Sequence, residues 1–280
     1  MKASAVERSY RAMGGRLLRA FRRRSMPSQG FVKVRRGGLT WGLHLENYLD
    51  REIFLHGEFE SRTTELVREF VKPGMNVLDV GANFGYFTLI LARLVGPTGR
   101  VFAFEPTRAY RERLLWHLKQ NDVTDRVVVL DYGLSDKDET RVIHIGDSSA
   151  TLHPAADEAA KGSETIRLRP LDRVADELAL PRIDLVKVDI DGHEPFFLAG
   201  AKEFLAARRP ALVMEFSQNN LATFGSDVVA LKDQLERLGY ELCSEKTGQP
   251  FATQNAFLVE CGNYAFSANV WARAKRGGSV

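Results

Sequence analysis

Five short apolar segments alternate with helix-like segments along this 280-residue chain, and that alternation constrains the fold more than any other feature. Parallel strands must be joined by long crossovers, usually helices, so this order predicts a parallel sheet with helices on both faces. The predicted strands are residues 76–80, 100–106, 126–133, 183–192 and 211–216.

Two later segments predict an antiparallel addition to the sheet. GYELCSE (239–245) and AFLVEC (256–261) follow the last predicted helix and have strand-like composition. We therefore expect a single Rossmann-like α/β domain with extensions at both ends. The predicted regions are a basic N-terminal extension, amphipathic or disordered (1–30), a β lead-in (31–56), the α/β domain (57–265) and a C-terminal tail (266–280).

Charge is unevenly distributed along the chain. Residues 1–40 carry eleven Lys or Arg and one acid, whereas the remainder carries 28 basic and 35 acidic residues. Residues 4–24 have the pattern of a basic amphipathic helix, which predicts contact with an anionic membrane surface or an acidic partner. The alternatives are a partly disordered tail or a helix packed on the body. The acidic body, which lacks an aromatic and basic stacking platform, argues against nucleic acid as a partner.

Cysteine content and hydropathy bear on the compartment. The two cysteines, Cys243 and Cys261, are too few for a disulfide framework and favour a reducing compartment, although a single bridge between them is the alternative. The chain has no apolar run of about 18 residues, so no membrane-spanning helix is expected. We expect a cytoplasmic protein, with peripheral membrane contact left open.

The strongest local motif is Asp79-Val80-Gly81-Ala82-Asn83-Phe84-Gly85, between the first predicted strand and a helix. Ligands of open α/β sheets bind where strands end, and glycines there let the backbone approach a ligand. Glu105 ends the next strand, where an acid can accept hydrogen bonds from the ribose hydroxyls of an adenosine. A glycine-rich turn that binds no cofactor is the structural alternative.

The cofactor that best suits this motif carries positive charge. NAD would use a G-x-G-x-x-G spacing, whereas this loop is G-x-x-x-G. Asp79 would also repel a pyrophosphate placed at the turn. S-adenosyl-L-methionine has no phosphate and carries an ammonium and a sulfonium, so a nearby acid favours its binding.

The chain resembles the FkbM family of S-adenosylmethionine-dependent methyltransferases over roughly residues 57–216. The matching pieces, in order, are GEFE (57–60), PGMNVLDVGANFGYFTLILARLVGPTGRVFAFEP (73–106), GLSD (133–136), LDRV (171–174), DLVKVDIDGHEPFFLAGA (184–201) and PALVMEF (210–216). The resemblance implies the Rossmann-like class I methyltransferase fold, a mostly parallel seven-stranded sheet with a C-terminal antiparallel hairpin, and typically O-methylation. The family's usual DVEGAE is here Asp-Ile-Asp-Gly-His-Glu (189–194), and this departure puts the acceptor in doubt more than the cofactor.

The resemblance also assigns cofactor contacts by motif position. Four residues of the glycine loop would line the methionine end of the cofactor, Glu105 would bind ribose, and Glu60 would reach the methionine moiety. Two residues after the third strand would flank adenine. The loop residues are Asp79, Gly81, Asn83 and Gly85, and the adenine residues are Gly133 and Leu134.

The acceptor chemistry is expected where the fourth strand ends. Asp189 and His193 are the candidates to orient or deprotonate the acceptor. The alternative is that Asp189 holds the cofactor ammonium and His193 caps the following helix. Glu215 faces either the acceptor or a structural partner, and loop 144–163 either borders the acceptor or is plain surface. A divalent metal on the acids and histidine of residues 189–194 is the less favoured alternative, so no metal is predicted.

The leading functional prediction is therefore a methyltransferase that O-methylates a sugar, a glycan or another small molecule. One alternative is a nucleic-acid methyltransferase, suggested by the arginine-rich N-terminus. Another is a membrane-recruited module that binds the cofactor without catalysis. An oligomeric state is left open.

Overall fold

The computed structural model describes residues 30–146, 150–152, 162–263 and 266–275. The basic helix predicted over residues 4–24 lies outside the described residues. The chain divides into two compact units, residues 1–61 and 62–280.

The first unit contains a β-hairpin followed by a helix. Strands β1 (Phe31–Arg36) and β2 (Leu39–His44) pair antiparallel across a tight turn, and helix α1 (Tyr48–His56) follows. Trp41 is buried and donates its indole N–H to the carbonyl of Arg36, while the buried Asp50 accepts a bond from the backbone N–H of His44. The segment predicted as a β lead-in (31–56) thus forms a hairpin and a helix, with a small core of their own.

The second unit is built on a seven-stranded sheet, which confirms the predicted fold class. The strand order is β12-β13-β11-β10-β3-β4-β5. The five central and edge strands from β11 to β5 are parallel, and β13 alone runs antiparallel to its two neighbours. The strands are β3 (Asn76–Val80), β4 (Arg100–Phe104), β5 (Val127–Leu130), β10 (Leu185–Val188), β11 (Ala211–Phe216), β12 (Tyr240–Ser244) and β13 (Ala268–Ala274).

Helices connect the strands and cover the sheet. They are α2 (Ser61–Phe70), α3 (Tyr86–Val95), α4 (Arg108–Gln120), α5 (Leu171–Glu177), α6 (Glu194–Gly200), α7 (Lys202–Arg208), α8 (Gln218–Thr223), α9 (Val228–Arg237) and α10 (Gln254–Cys261), with a 3₁₀ turn at Thr124–Arg126. Every residue of β10 is buried, as expected for a parallel strand covered on both faces. Each buried Val or Leu of such a strand contributes about 1.5–3 kcal/mol.

A smaller four-stranded sheet lies in the same unit, with strand order β6-β9-β7-β8. Its strands are β6 (Gly133–Leu134), β7 (Glu139–Ile145), β8 (Ala150–Thr151) and β9 (Gly162–Arg169). The segment predicted as one strand over residues 126–133 is therefore divided. Residues 127–130 belong to the large sheet, and Gly133 already belongs to the small one.

The prediction that AFLVEC forms a strand is wrong, because Gln254–Cys261 is a helix. Thr253 caps it, since its side chain accepts a hydrogen bond from the backbone N–H of Ala256. The antiparallel strand is instead residues 268–274, which were expected in the C-terminal tail and which lie between β11 and β12. Cys243 and Cys261 are buried free thiols.

Residues 194–208 form two short helices, α6 and α7, rather than one. Gly200, the last residue of α6, approaches the backbone of Ser135 so closely that an added Cβ would lie 1.9 Å from its carbonyl oxygen. The second helix begins at Lys202. A glycine is therefore needed where the first helix ends.

Candidate active site

Three neighbouring strands of the large sheet end at one edge. Strand β3 lies between β4 and β10, and their last residues are in register. Gly81, Glu105 and Asp189, which follow these three strands, therefore come together. They border a cleft of about 620 Å³, counting its open mouth. The predicted glycine loop and the predicted acid thus lie at the same carboxyl edge, as the sequence indicated.

Gly81 begins the loop with a backbone conformation that favours glycine, at φ +80°. Its N–H donates to the carbonyl of Phe104, 3.1 Å away, which ties the loop to β4. A Cβ at Gly81 would lie 1.9 Å from the carbonyl oxygen of Asp189. Only glycine lets the loop backbone touch the end of β10 this closely.

Asn83 also has a left-handed backbone, at φ 51°, which asparagine tolerates better than most residues. Its side-chain oxygen accepts a bond from the N–H of Phe84 at 2.7 Å, and its own N–H donates to Glu105 Oε2 at 2.7 Å. The loop is therefore fixed directly to the acid at the end of the next strand.

The carboxylate of Glu105 is oriented by two backbone N–H groups. Oε2 accepts from Asn83, and Oε1 accepts from Thr107 at 2.7 Å. Burial raises the pKa of Glu105 to about 7, and the two hydrogen bonds oppose that rise. A carboxylate has about four lone-pair sites, so this one retains capacity for hydroxyl donors of a ligand.

Asp79 and Gly85 are not among the residues that border the cleft, and their predicted contacts with the methionine end of the cofactor stay predictions. Asp79 is buried, and its Oδ2 accepts a bond from the hydroxyl of Thr88 at 2.5 Å. Its Oδ1 has no hydrogen-bond partner among the described residues. Gly85 caps helix α3 at φ 96°, where an added Cβ would meet Leu114. Asp79 thus lies behind the loop as a buried carboxyl group. The lack of a side chain at Gly85 leaves room for Leu114.

Acidic side chains gather where β10 ends. Asp189 borders the cleft with 29% of its side chain exposed, and Lys187 Nζ lies 2.9 Å from its Oδ2. Glu194 Oε1 accepts a bond from the N–H of Ile190 at 3.0 Å and so closes the turn between strand and helix. Burial raises the pKa of Glu194 to about 8, and the nearby carboxylates of Asp189 and Asp191 add to that rise.

Glu215, the acid near the end of β11, is partly buried. Burial raises the pKa of Glu215 well above its usual value, and Asp189, Asp191 and Glu194 raise it further. Four carboxyl groups, those of Asp189, Asp191, Glu194 and Glu215, therefore lie near one another at this edge of the large sheet. The pKa of Glu194 and that of Glu215 are raised.

His193 is buried and borders the cleft next to Asp191. Its Nε2 lies 2.9 Å from the hydroxyl oxygen of Ser135, whose proton is donated to Asp136 Oδ1 at 3.0 Å. Nε2 must therefore donate to Ser135, and the neutral ring has its basic lone pair on Nδ1. His193 is the N-cap residue of α6, but its side chain makes no capping bond. His193 therefore occupies the N-cap position, as the alternative prediction had it, but its side chain does not cap the helix.

The other side of the cleft is apolar. Gly133 and Leu134, the residues predicted beside adenine, border it together with side chains of the small sheet. These further residues are Ile143, Ala150, Leu152, Ile166 and Leu168. The alternation of residues 165–169 predicts a strand, but no local signal indicates that this strand pairs with Gly133. The apolar side of the cleft could therefore not be predicted from the sequence.

Thr107 and Tyr110 also border the cleft and were not predicted. Glu60, predicted at the methionine moiety, belongs to the first unit and has a left-handed backbone at φ 43°. Its proposed contact with the cofactor stays a prediction.

In the part of the chain that the structure describes, no three His, Cys, Asp or Glu side chains are arranged to hold a metal ion. Among the described helices, none has the length and hydropathy needed to span a bilayer.

The residues of the cleft and the acid behind it fit an adenosine-containing cation. Asp79 offers a buried carboxylate oxygen without a partner among the described residues, Glu105 an oriented acid, and the small sheet an apolar wall. Together with the strand order, this arrangement defines a class I methyltransferase of the Rossmann-like type.

The chain belongs to the FkbM methyltransferase family. The model of the methyltransferase FkbM domain matches residues 79–242, more than half of the chain and most of the large sheet. The cofactor of this domain is S-adenosyl-L-methionine, as the resemblance implied.

Individual relatives are similar over different stretches. AmbE of Pseudomonas aeruginosa, an AMB antimetabolite synthetase, is 30% identical over an alignment of 250 residues, gaps included, that covers 75% of this chain and 11% of AmbE. The hexuronic acid methyltransferase AglP of Haloferax volcanii is 32% identical over an alignment of 127 residues that covers 44% of this chain and 48% of AglP. The chain therefore spans about a ninth of the first relative and about half of the second.

A solved structure of an FkbM methyltransferase from Methylobacillus flagellatus superposes with a TM-score of 0.45 at 16% identity. The superposition covers 80% of this chain and 52% of that one.

Proposed function

We propose that this protein transfers a methyl group from S-adenosylmethionine to a hydroxyl oxygen of a sugar, a glycan or another small molecule. The observation that carries the proposal is the 2.7 Å hydrogen bond from the Asn83 N–H to Glu105, which joins the glycine loop and the acid of the next strand in one cleft. A polar and an apolar side of that cleft match the two ends of an adenosyl cation.

In this proposal the cofactor lies along the ends of β3 and β4. Glu105 accepts hydrogen bonds from the ribose hydroxyls, because its carboxylate is already oriented by two backbone N–H groups. Gly81 and Asn83 border the methionine end, and Asp79 contributes negative charge from behind the loop. Gly133 and Leu134 contact adenine, which gains from an apolar surface.

When bound, S-adenosylmethionine supplies a methyl carbon that is already activated by positive sulfur. The residues of the cleft then need to align the acceptor oxygen and exclude water, and alignment alone can contribute about 7–11 kcal/mol. Asp189 and His193 border the cleft beyond the loop and are proposed to orient the acceptor and receive its proton. In His193 the receiving atom is Nδ1, because Nε2 donates to Ser135.

The choice of a hydroxyl acceptor is supported by chemistry and by one relative. A base near the reacting oxygen contributes about 10²–10⁴-fold to transfer onto an alcohol, and two candidate bases are present. AglP is named for a hexuronic acid, which is a sugar acid. Carboxylates of Glu105, Asp189 and Asp191 around the cleft disfavour a polyanionic acceptor such as nucleic acid.

The proposal is tested by transfer of a labelled methyl group. The protein is incubated with S-adenosylmethionine labelled in the methyl group and with separate glycan, small-molecule and RNA fractions, and products are identified by mass spectrometry. We expect label in the glycan or small-molecule fraction, on oxygen, and unchanged incorporation after nuclease treatment. Label in RNA alone would support the nucleic-acid alternative. Cofactor binding without transfer to any fraction would support the non-catalytic module.

A further inference from the structure

Lys187 is a lysine inside a parallel strand of the sheet core, with only 2% of the residue exposed. Its neighbours along β10, Val186 and Val188, are fully buried apolar residues. An unpaired ammonium ion in such surroundings is very costly, so a buried lysine needs charged partners close by.

The partners of Lys187 come from the cofactor site. Nζ lies 2.9 Å from Asp189 Oδ2 and 4.6 Å from the ring centre of Phe87 on helix α3. In the sheet register, Lys187 lies directly beside Asp79 of β3. Neighbouring residues of adjacent strands point to the same face, so the side chains of Lys187 and Asp79 share one face of the sheet.

Lys187 favours the ionised form of Asp79. Burial raises the pKa of Asp79, while Lys187 and the Thr88 hydroxyl lower it and Asp189 raises it. The other titratable groups of this edge are His193 and four acids. The acids are Glu105 after β4, Asp191 in the turn, Glu194 on α6 and Glu215 on β11. Lys187 is thus the cation that faces a set of acids from several elements.

We propose that Lys187 is a positioning residue of the methyl-transfer site, which balances the negative charge of Asp79 behind the cationic end of the cofactor and fixes the carboxylate of Asp189 toward the acceptor. The inference rests on the proposed function and adds a role for a residue that never borders the cleft. Its ammonium acts through the two acids and makes no contact with cofactor or acceptor.

The test measures the dissociation constant of S-adenosylhomocysteine by calorimetry between about pH 6 and pH 8.5 for wild type, Lys187→Met and Asp79→Asn. Without the lysine, the pKa of Asp79 rises, so its charge is lost at the lower pH. We expect Lys187→Met to bind at least about tenfold more weakly than wild type near pH 6, because a charged partner of buried acids is lost. The loss shrinks as pH rises. Taking the ratio to wild type at each pH cancels the titration of Glu105, which both proteins share.

Two control variants make the test decisive. Lys187→Arg keeps the cation and should restore a profile close to wild type. Lys232→Met removes another ion-paired lysine, 2.7 Å from Glu236 and outside the cleft, and should change nothing. A ratio for Lys187→Met that is constant with pH would mean a purely structural role and overturn the proposal.

If Lys187→Met does not fold, Asp79→Asn still tests the proposal. Asp79→Asn cannot carry the negative charge, so it should bind S-adenosylhomocysteine more weakly than wild type at the upper end of this pH range, and unchanged affinity there would overturn the proposal. Failure of the proposed function is distinguishable, since wild type would then show no binding of S-adenosylhomocysteine at all.

Discussion

The backbone of Gly81 touches the carbonyl group of Asp189, so that a Cβ added to Gly81 would lie 1.9 Å from that oxygen. This contact joins the loop after β3 to the end of β10, and thereby sets the distance between the proposed cofactor loop and the proposed acceptor residues. Both sides of the contact are backbone, so neither can move away without shifting a strand end.

Gly81→Ala should therefore destabilise the protein by more than backbone strain alone. A left-handed residue with a Cβ costs about 1–2 kcal/mol, and here the clash adds to it. Gly225→Ala is the matched control, because Gly225 has φ +70° but no atom within 4 Å of an added Cβ. Urea unfolding of both variants measures the difference. Equal losses in the two variants would show that the loop does not pack on Asp189 as described.

The raised pKa of Glu194 predicts a pH dependence of stability. Because the folded state binds a proton more tightly than the unfolded state, the contribution of this group is present below about pH 4.5 and is lost as pH rises through about 8. Glu194→Gln keeps an oxygen for the Ile190 N–H but cannot titrate. The free energy of unfolding of wild type should fall relative to this variant as pH rises, with a slope of at most about 1.4 kcal/mol per unit.

Chemical denaturation at several pH values between 5 and 9 checks the sign of this trend. Glu112→Gln serves as the control, since Glu112 is exposed and paired on the surface with Arg108, where less than about 1 kcal/mol is expected. A wild type that gains stability over Glu194→Gln with rising pH would contradict the burial of that carboxyl group.

The acceptor side is tested by separating turnover from cofactor affinity. His193→Ala and Asp189→Asn should each lower kcat by about 10²–10⁴-fold if they handle the acceptor proton, with the dissociation constant of S-adenosylhomocysteine nearly unchanged. Ser135→Ala removes the partner of His193 Nε2, together with the hydrogen bond to Asp136, and should have a smaller effect. Turnover that survives both changes, with cofactor affinity unchanged, would exclude the two residues as bases.

Much of the fold could be predicted because the parallel strands carry their own signal. Strand β10 is apolar at nearly every position, and the glycine loop and Glu105 follow strands that end at one edge. Sequence order and strand direction alone were enough to bring those residues together.

The features that were missed depend on contacts distant in sequence. Residues 254–261 have strand-like composition, and Thr253 as the N-cap was the one local sign of a helix. Residues 268–274 form a strand that pairs antiparallel with β11 on one side and with β12 on the other, and both partners are distant in sequence. The side chain of Asp79, predicted at the methionine end of the cofactor, turns to Thr88 on α3, since the residue still belongs to the strand.

The central claim is that Glu105 and the loop at Asn83 form the binding site of the cofactor, and calorimetric titration with S-adenosylmethionine tests it most directly. Wild type should bind, and Glu105→Gln should bind at least about tenfold more weakly. In the variant, the amide NH₂ of Gln would face a backbone N–H, and the carboxylate that accepts the ligand's hydroxyl groups would be lost. Glu164→Gln, a carboxylate that accepts the Arg108 N–H outside the cleft, should bind like wild type. No binding by wild type at millimolar cofactor, or equal affinity in Glu105→Gln, would contradict the account.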